Sequence, residues 1–232
     1  MQPVLLIAWN FVRTQWLVVT VMSAYLLGMT GLFSFHLQFA ETALFLQWHS
    51  LYVFFLAMTL AVSAIQAEKK SRRIVAVLSK GIHRGQYLAG LLCGCGVIIG
   101  IFWLLIGGSM LVLVRQAGHS VGGLSVIVLA LFCCCLAASA VALFYSVFLH
   151  PLLASAASAV TLLLPFILQP AGWPVPGEIF PLFAAGNLLL RFQLSAVREA
   201  SIIALVAVVW VIVFVAAGTL AFNRRDVTIS PE

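Results

Sequence analysis

The chain is short of charge. Lysine and arginine number 12 and aspartate and glutamate 6, together 8% of 232 residues, where a soluble domain carries about 25%. Six scattered carboxylates do not supply a paired acid/base centre. No G-x-S-x-G elbow occurs, no G-x-x-x-x-G-K-[ST] loop, and no Gly-Lys pair at all, so neither a hydrolase nucleophile nor a phosphate-cradling loop is written here. Catalysis by this chain alone is therefore not expected. Cysteine is sparse and grouped: Cys93 and Cys95 lie in one apolar run, and Cys133, Cys134 and Cys135 in another. Consecutive helical residues point in different directions, so the trio makes no metal cage by itself. These cysteines read as small, polarizable packing residues. The histidines His36, His49, His83, His119 and His150 include no i, i+4 pair of the kind that builds a helical metal site. His36 and His49 read as hydrogen-bonded groups at a membrane surface. No metal and no cofactor is expected on the chain.

What is abundant is apolar. Hydrophobic residues make up 64% of the chain, and the mean hydropathy is +1.18. A soluble fold cannot hide this much apolar surface. One bilayer crossing takes about 20 apolar residues. The predicted fold class is all-α and polytopic, with six transmembrane helices at about 16–35, 44–67, 87–114, 124–149, 152–168 and 200–222. Residues 1–15 read as an interfacial segment that is not a cleavable signal, since no basic residue precedes Arg13 and no A-x-A site follows. The fifth span carries Pro165 and is the weakest. Residues 169–199, with Pro170, Pro174, Pro176 and Pro181, are too interrupted to cross. They read as an extracytoplasmic hairpin or short helix, either a lid or an exit gate.

The net charge of +6 is a matter of topology rather than of nucleic acid. With a cytoplasmic N-terminus, Arg13, Lys69, Lys70, Arg72, Arg73, Lys80, Arg84, Arg224 and Arg225 fall inside, and Arg115, Arg191 and Arg198 outside. Nine against three satisfies the positive-inside rule and puts both termini in the cytoplasm. No Asp, Glu, Lys or Arg falls mid-span, which argues against a proton-driven carrier. Small residues recur at close-packing spacing: Gly90 with Gly94, and Gly96 with Gly100.

The most polar stretch, 68–86, joins the second and third spans. Ile74, Val75, Val77 and Leu78 fall on one side of a short amphipathic helix over 68–79, after Glu68, Lys69, Lys70, Arg72 and Arg73. Such a helix can lie on anionic lipid or dock a soluble partner. Gly81 and Gly85 suit a break before the third span.

This segment resembles the cytoplasmic loop of permease subunits in type-2 ABC exporters. Glu68 stands for that family's Glu, Val77-Leu78-Ser79 for its Leu-Leu-Ser step, and Gly81-Ile82-His83-Arg84 for its Pro-x-x-Arg turn. Phe222-Asn223-Arg224-Arg225-Asp226-Val227 resembles the family's end after span six. Lys69-Lys70-Ser71-Arg72 departs from the family's Arg-Gly-Thr-like step. The resemblance implies a transport subunit of a bacterial inner membrane that moves substrate outward. ATP and Mg would sit on a separate cytosolic ATPase, which would dock on Glu68, Lys69, Lys70, Arg72, Arg73, Ile74, Val77, Leu78 and Arg84. A second permease copy would complete the unit, with membrane lipid around it. Two other readings remain: an anchoring or assembly subunit of a larger complex, and a haem-bearing membrane subunit.

Overall fold

The computed structural model describes residues 3–34, 39–70, 83–116, 121–169, 171, 173, 176–191 and 196–224. Among them the chain is all-helical. In chain order the helices are α1 (Pro3–Thr14), α2 (Trp16–Ser34), α3 (Phe39–Lys70), α4 (Arg84–Gln116), α5 (Leu124–Ser146), α6 (Pro151–Leu168), a 3-10 turn (Gly177–Ile179), α7 (Pro181–Arg191) and α8 (Val197–Arg224). Five stretches are long and apolar enough to cross a membrane: Leu44–Gln66, Arg84–Arg115, Leu124–Phe148, Pro151–Leu168 and Val197–Arg224. α1 and α2 meet at Gln15 with a bend of 62°, and counting them as one broken span makes six.

Local chemistry accounts for several boundaries. Pro3 opens α1, where a missing N–H costs nothing. At the bend, Gln15 N–H donates to both Phe11 O and Val12 O, and the Thr14 hydroxyl donates back to Phe11 O at 2.7 Å. Side-chain back-bonding of this kind bends helices. His150 is extended, as the residue before a proline tends to be, and Pro151 then starts α6. Pro165 does not end α6, which continues to Leu168. A proline within a buried helix is tolerated where neighbouring helices hold the chain.

α5 is the central helix. It packs against α3, α4, α6, α7 and α8. Ala137, Ala138, Ala140 and Ala142 are all buried, and such small side chains let helix backbones approach closely. On this face the Ser139 hydroxyl donates to Ala57 O of α3 at 3.2 Å. Conversely, α6 and α8 turn Leu152, Leu153, Leu205, Ile212 and Leu220 outward. Exposed apolar side chains in such numbers belong against lipid.

α4 and α5 run in opposite directions. A Cβ on Gly96 of α4 would meet Leu136 of α5, and one on Gly107 would meet Val128. The bundle's basal end, where α4 begins, thus also holds the end of α5. There Gln66 Nε2 of α3 reaches Leu149 O at 3.5 Å, and Arg84 Nη1 donates to Phe222 O of α8. The Arg84 guanidinium also lies 5.3 Å from the Phe222 ring centroid. α7 packs into the distal half of the bundle, from Pro181 beside Cys134 to Leu189 beside Gln47, with Pro181, Ala185, Leu188 and Leu189 buried and Leu190 exposed. Eleven residues rise about 16 Å as a helix, too little to cross a bilayer.

Two expectations need correction. α3 runs unbroken through Lys70, so Glu68, Lys69 and Lys70 extend that helix instead of opening a new one; its hydrogen-bond ladder propagates past the polar boundary because each added residue gains a backbone bond. Gly85 is inside α4, not at a break before it. A Cβ there would lie 3.0 Å from the Thr219 side chain, so the glycine lets α4 start close against α8.

Candidate functional site

The predicted docking residues divide sharply. Arg72, Arg73, Ile74, Val77 and Leu78 lie outside the described residues, as do the side chains of Glu68, Lys69 and Lys70. Arg84 is described, and it serves a structural purpose. As the first residue of α4 it caps a carbonyl at the C-terminal end of α8, where a cation is favoured. The C-terminal residues 225–232, His36 and His119 are also outside the described residues.

The four α4 glycines at close-packing spacing, Gly90, Gly94, Gly96 and Gly100, sit in two different contacts. A Cβ on Gly90 would fall 2.8 Å from Ile7 Cβ and 3.1 Å from Val4 O. One on Gly94 would fall 2.8 Å from Phe11 Cδ1 and 3.2 Å from Ala8 O. This pair therefore forms the seat of α1 within the same chain. Gly96 and Gly100 instead face Leu136 and Phe132 of α5, at 3.2 and 3.6 Å. α2 continues along α4 in the same direction as α1, and Thr30 Oγ1 lies 2.8 Å from Ser109 Oγ.

In the distal half, a cavity of about 300 Å3 opens between α3, α4, α5, α6 and α7. Its walls include Phe54, Trp103, Leu131, Leu163, Phe166 and Leu189, and no charged side chain among the described residues lines it. The few polar groups there are already engaged. Gln47 Nε2 donates to Leu189 O at 2.9 Å. The Trp103 indole N–H donates to Cys135 Sγ at 3.4 Å, and Cys134 Sγ–H to Pro181 O at 3.5 Å. A chamber so lined suits an apolar or neutral occupant, because an ion would be desolvated there without a partner. α7 contributes Leu182, Ala185, Gly186, Leu189 and Leu190 and so forms one wall of the chamber.

This chamber escaped the sequence reading. Its walls come from five helices, and no spacing within one segment links Gln47 to Trp103 or Ala185. The cysteine trio does carry a trace of it, since Cys134 and Cys135 line the cavity. His49 departs from expectation: it is 4% exposed, not a surface group. Among the described residues, no group of three His, Cys, Asp or Glu is placed to share a metal ion. Comparison with protein-family models, with curated proteins and with solved structures finds no match to this chain.

Proposed function

We propose that this chain is the membrane permease subunit of an ATP-driven exporter of the type-2 ABC class. It crosses the bacterial inner membrane six times with both termini cytoplasmic, and it works as a dimer driven by a separate cytosolic ATPase. The observation that supports this reading is the apolar chamber between the helices, which no charged side chain of the described residues lines and of which α7 forms one wall. A space of that kind is where an apolar or neutral cargo would wait. The basic connection between α3 and α4 supports the reading from the other end. It is the largest polar feature of the sequence, and it follows the resemblance carried by Glu68, Val77-Leu78-Ser79 and Arg84.

In operation, ATP and Mg bind the partner ATPases, whose closure pushes on the 68–79 segment. Basal ends of α3 and α4 move with it, and the chamber opens past α7. The test is reconstitution. The chain is purified with the ATPase that is retained on it, placed in liposomes, and assayed for ATP turnover and outward cargo movement. Glu68→Lys and Leu78→Asp are expected to abolish stimulated turnover while leaving the helical signal of the purified protein unchanged. Retained ATPase with unchanged stimulation in both variants would sink the docking claim.

A further inference from the structure

A second, smaller cavity lies beside the chamber on the outer face of α2 and α3. It measures about 240 Å3 and is walled by Tyr25, Trp48, His49, Leu51, Tyr52 and Phe55. We infer that this aromatic cavity binds the head of a membrane-dissolved phenolic amphiphile, with His49 Nε2 accepting its hydroxyl hydrogen. The inference stands on its own observations and does not depend on the export reading.

The imidazole sets the polarity of the site. His49 Nδ1 lies 2.7 Å from Phe45 O. A carbonyl only accepts, so in the neutral ring Nδ1 carries the hydrogen and Nε2 is left as an acceptor. Nε2 is buried and has no hydrogen-bond partner. Buried polar groups are nearly always paired, so an orphan acceptor beside a cavity marks a place where something donates. The occupant must therefore bring an O–H or N–H.

The walls narrow the choice. Four aromatic rings besides the imidazole surround the space, with Tyr25 and Tyr52 centroids 5.7 Å apart. Among the described residues no carboxylate lines it, so none of them offers a cationic amine a counter-charge. A flat, neutral ring with a hydroxyl satisfies both conditions. The volume agrees, since a cavity of roughly 150 Å3 is enough for benzene. Trp48 is 68% exposed and Tyr25 46%, so the mouth faces outward, where a molecule dissolved in lipid arrives directly. His49 lies five residues into the Leu44–Gln66 stretch, close to the membrane–water boundary where amphipathic rings settle. Tyr25 stacks over the imidazole at 6.2 Å and also lines the cavity, so the ligand reaches Nε2 as Tyr25 turns aside.

The test uses the full chain in lipid nanodiscs and two radiolabelled probes, 4-octylphenol and its methyl ether. They share ring and tail, and only the phenol donates a hydrogen bond. The phenol is expected to bind at least about tenfold more tightly, the value of one hydrogen bond. His49→Phe keeps the ring stacking but removes the acceptor, and is expected to bind both probes alike. Equal affinity of the unaltered chain for phenol and ether would overturn the inference without any variant having to fold. Discrimination that persists in His49→Phe would overturn it as well.

Discussion

Replacing Gly90 by alanine tests how α1 is held. The added Cβ would sit 2.8 Å from Ile7 Cβ, 2.9 Å from Ile7 Cγ2 and 3.1 Å from Val4 O. Carbon atoms prefer about 3.5–4.0 Å, so α1 has to shift outward by roughly 0.7 Å or more. The carbonyl of Val4 is backbone and cannot rotate away. Overpacking of this kind costs about 1–3 kcal/mol. Alanine also gains about 0.5–1 kcal/mol over glycine inside a helix, so the net loss is smaller than the clash. Gly108, on the same helix, supplies the reference, because a Cβ there meets nothing within 4 Å. Gly108→Ala shows the helix gain alone, and the two variants should differ by about 1–3 kcal/mol. Gly94→Ala behaves like Gly90→Ala. The double variant falls short of the sum, because α1 displaced once no longer presses on the second site. The assay is equilibrium unfolding in mixed detergent micelles. Equal midpoints for Gly90→Ala and Gly108→Ala would refute the seating of α1 on α4.

Three further outcomes are expected. A double-mutant cycle of Thr30→Val and Ser109→Ala, read by the same unfolding assay, gives a coupling of about 0.6 kcal/mol, the usual worth of an interhelical hydrogen bond in a membrane; zero coupling removes that tie between α2 and α4. Ala185→Leu fills part of the chamber from α7, so cargo transport falls severalfold in reconstituted liposomes while ATP turnover persists; undiminished transport places the cargo elsewhere. Trp210→Phe keeps the stacking on Phe214 at 5.3 Å but deletes the donor to Ile179 O at 2.9 Å. Hydrogen exchange in the 3-10 turn and the start of α7 should then quicken severalfold, as about 1 kcal/mol of restraint is lost; unchanged exchange makes that bond dispensable.

The crossings were legible because length and apolarity are local properties. The stretches expected at 44–67, 87–114, 124–149, 152–168 and 200–222 each fall within three residues of an observed apolar helix. Packing partners were not legible. Gly90 and Gly94 announced a close approach, but their spacing says nothing of what approaches, and the answer is Ile7 and Phe11, some 83 residues away. Pro165 made 152–168 the weakest of the expected spans, and it is a buried residue inside α6, since the cost of a missing backbone bond depends on the neighbours. His49 looked interfacial from Gln47 and Trp48 beside it. One helical position further round, its ring turns inward and stacks on Phe45 with centroids 3.9 Å apart, while Trp48 points out. A run of residues fixes depth in the membrane, whereas the facing of each depends on partners that come from elsewhere in the chain.

The two ends of the bundle are built for different tasks. At the basal end the joints are tight: Arg84 caps Phe222 O, and a Cβ on Gly85 would press on the Thr219 side chain at 3.0 Å. A displacement applied there passes into α4 and α8 together. The segment from Ile179 to Leu189 is held by separate bonds: Gln47 to Leu189 O, Cys134 to Pro181 O, and Trp210 to Ile179 O. At about 0.6 kcal/mol each in a membrane setting, such bonds together amount to roughly 2 kcal/mol. That is small beside the several kcal/mol by which one ligand must favour a state to invert a two-state equilibrium. The apolar face of α7 adds little further resistance where lipid tails can replace the chamber wall.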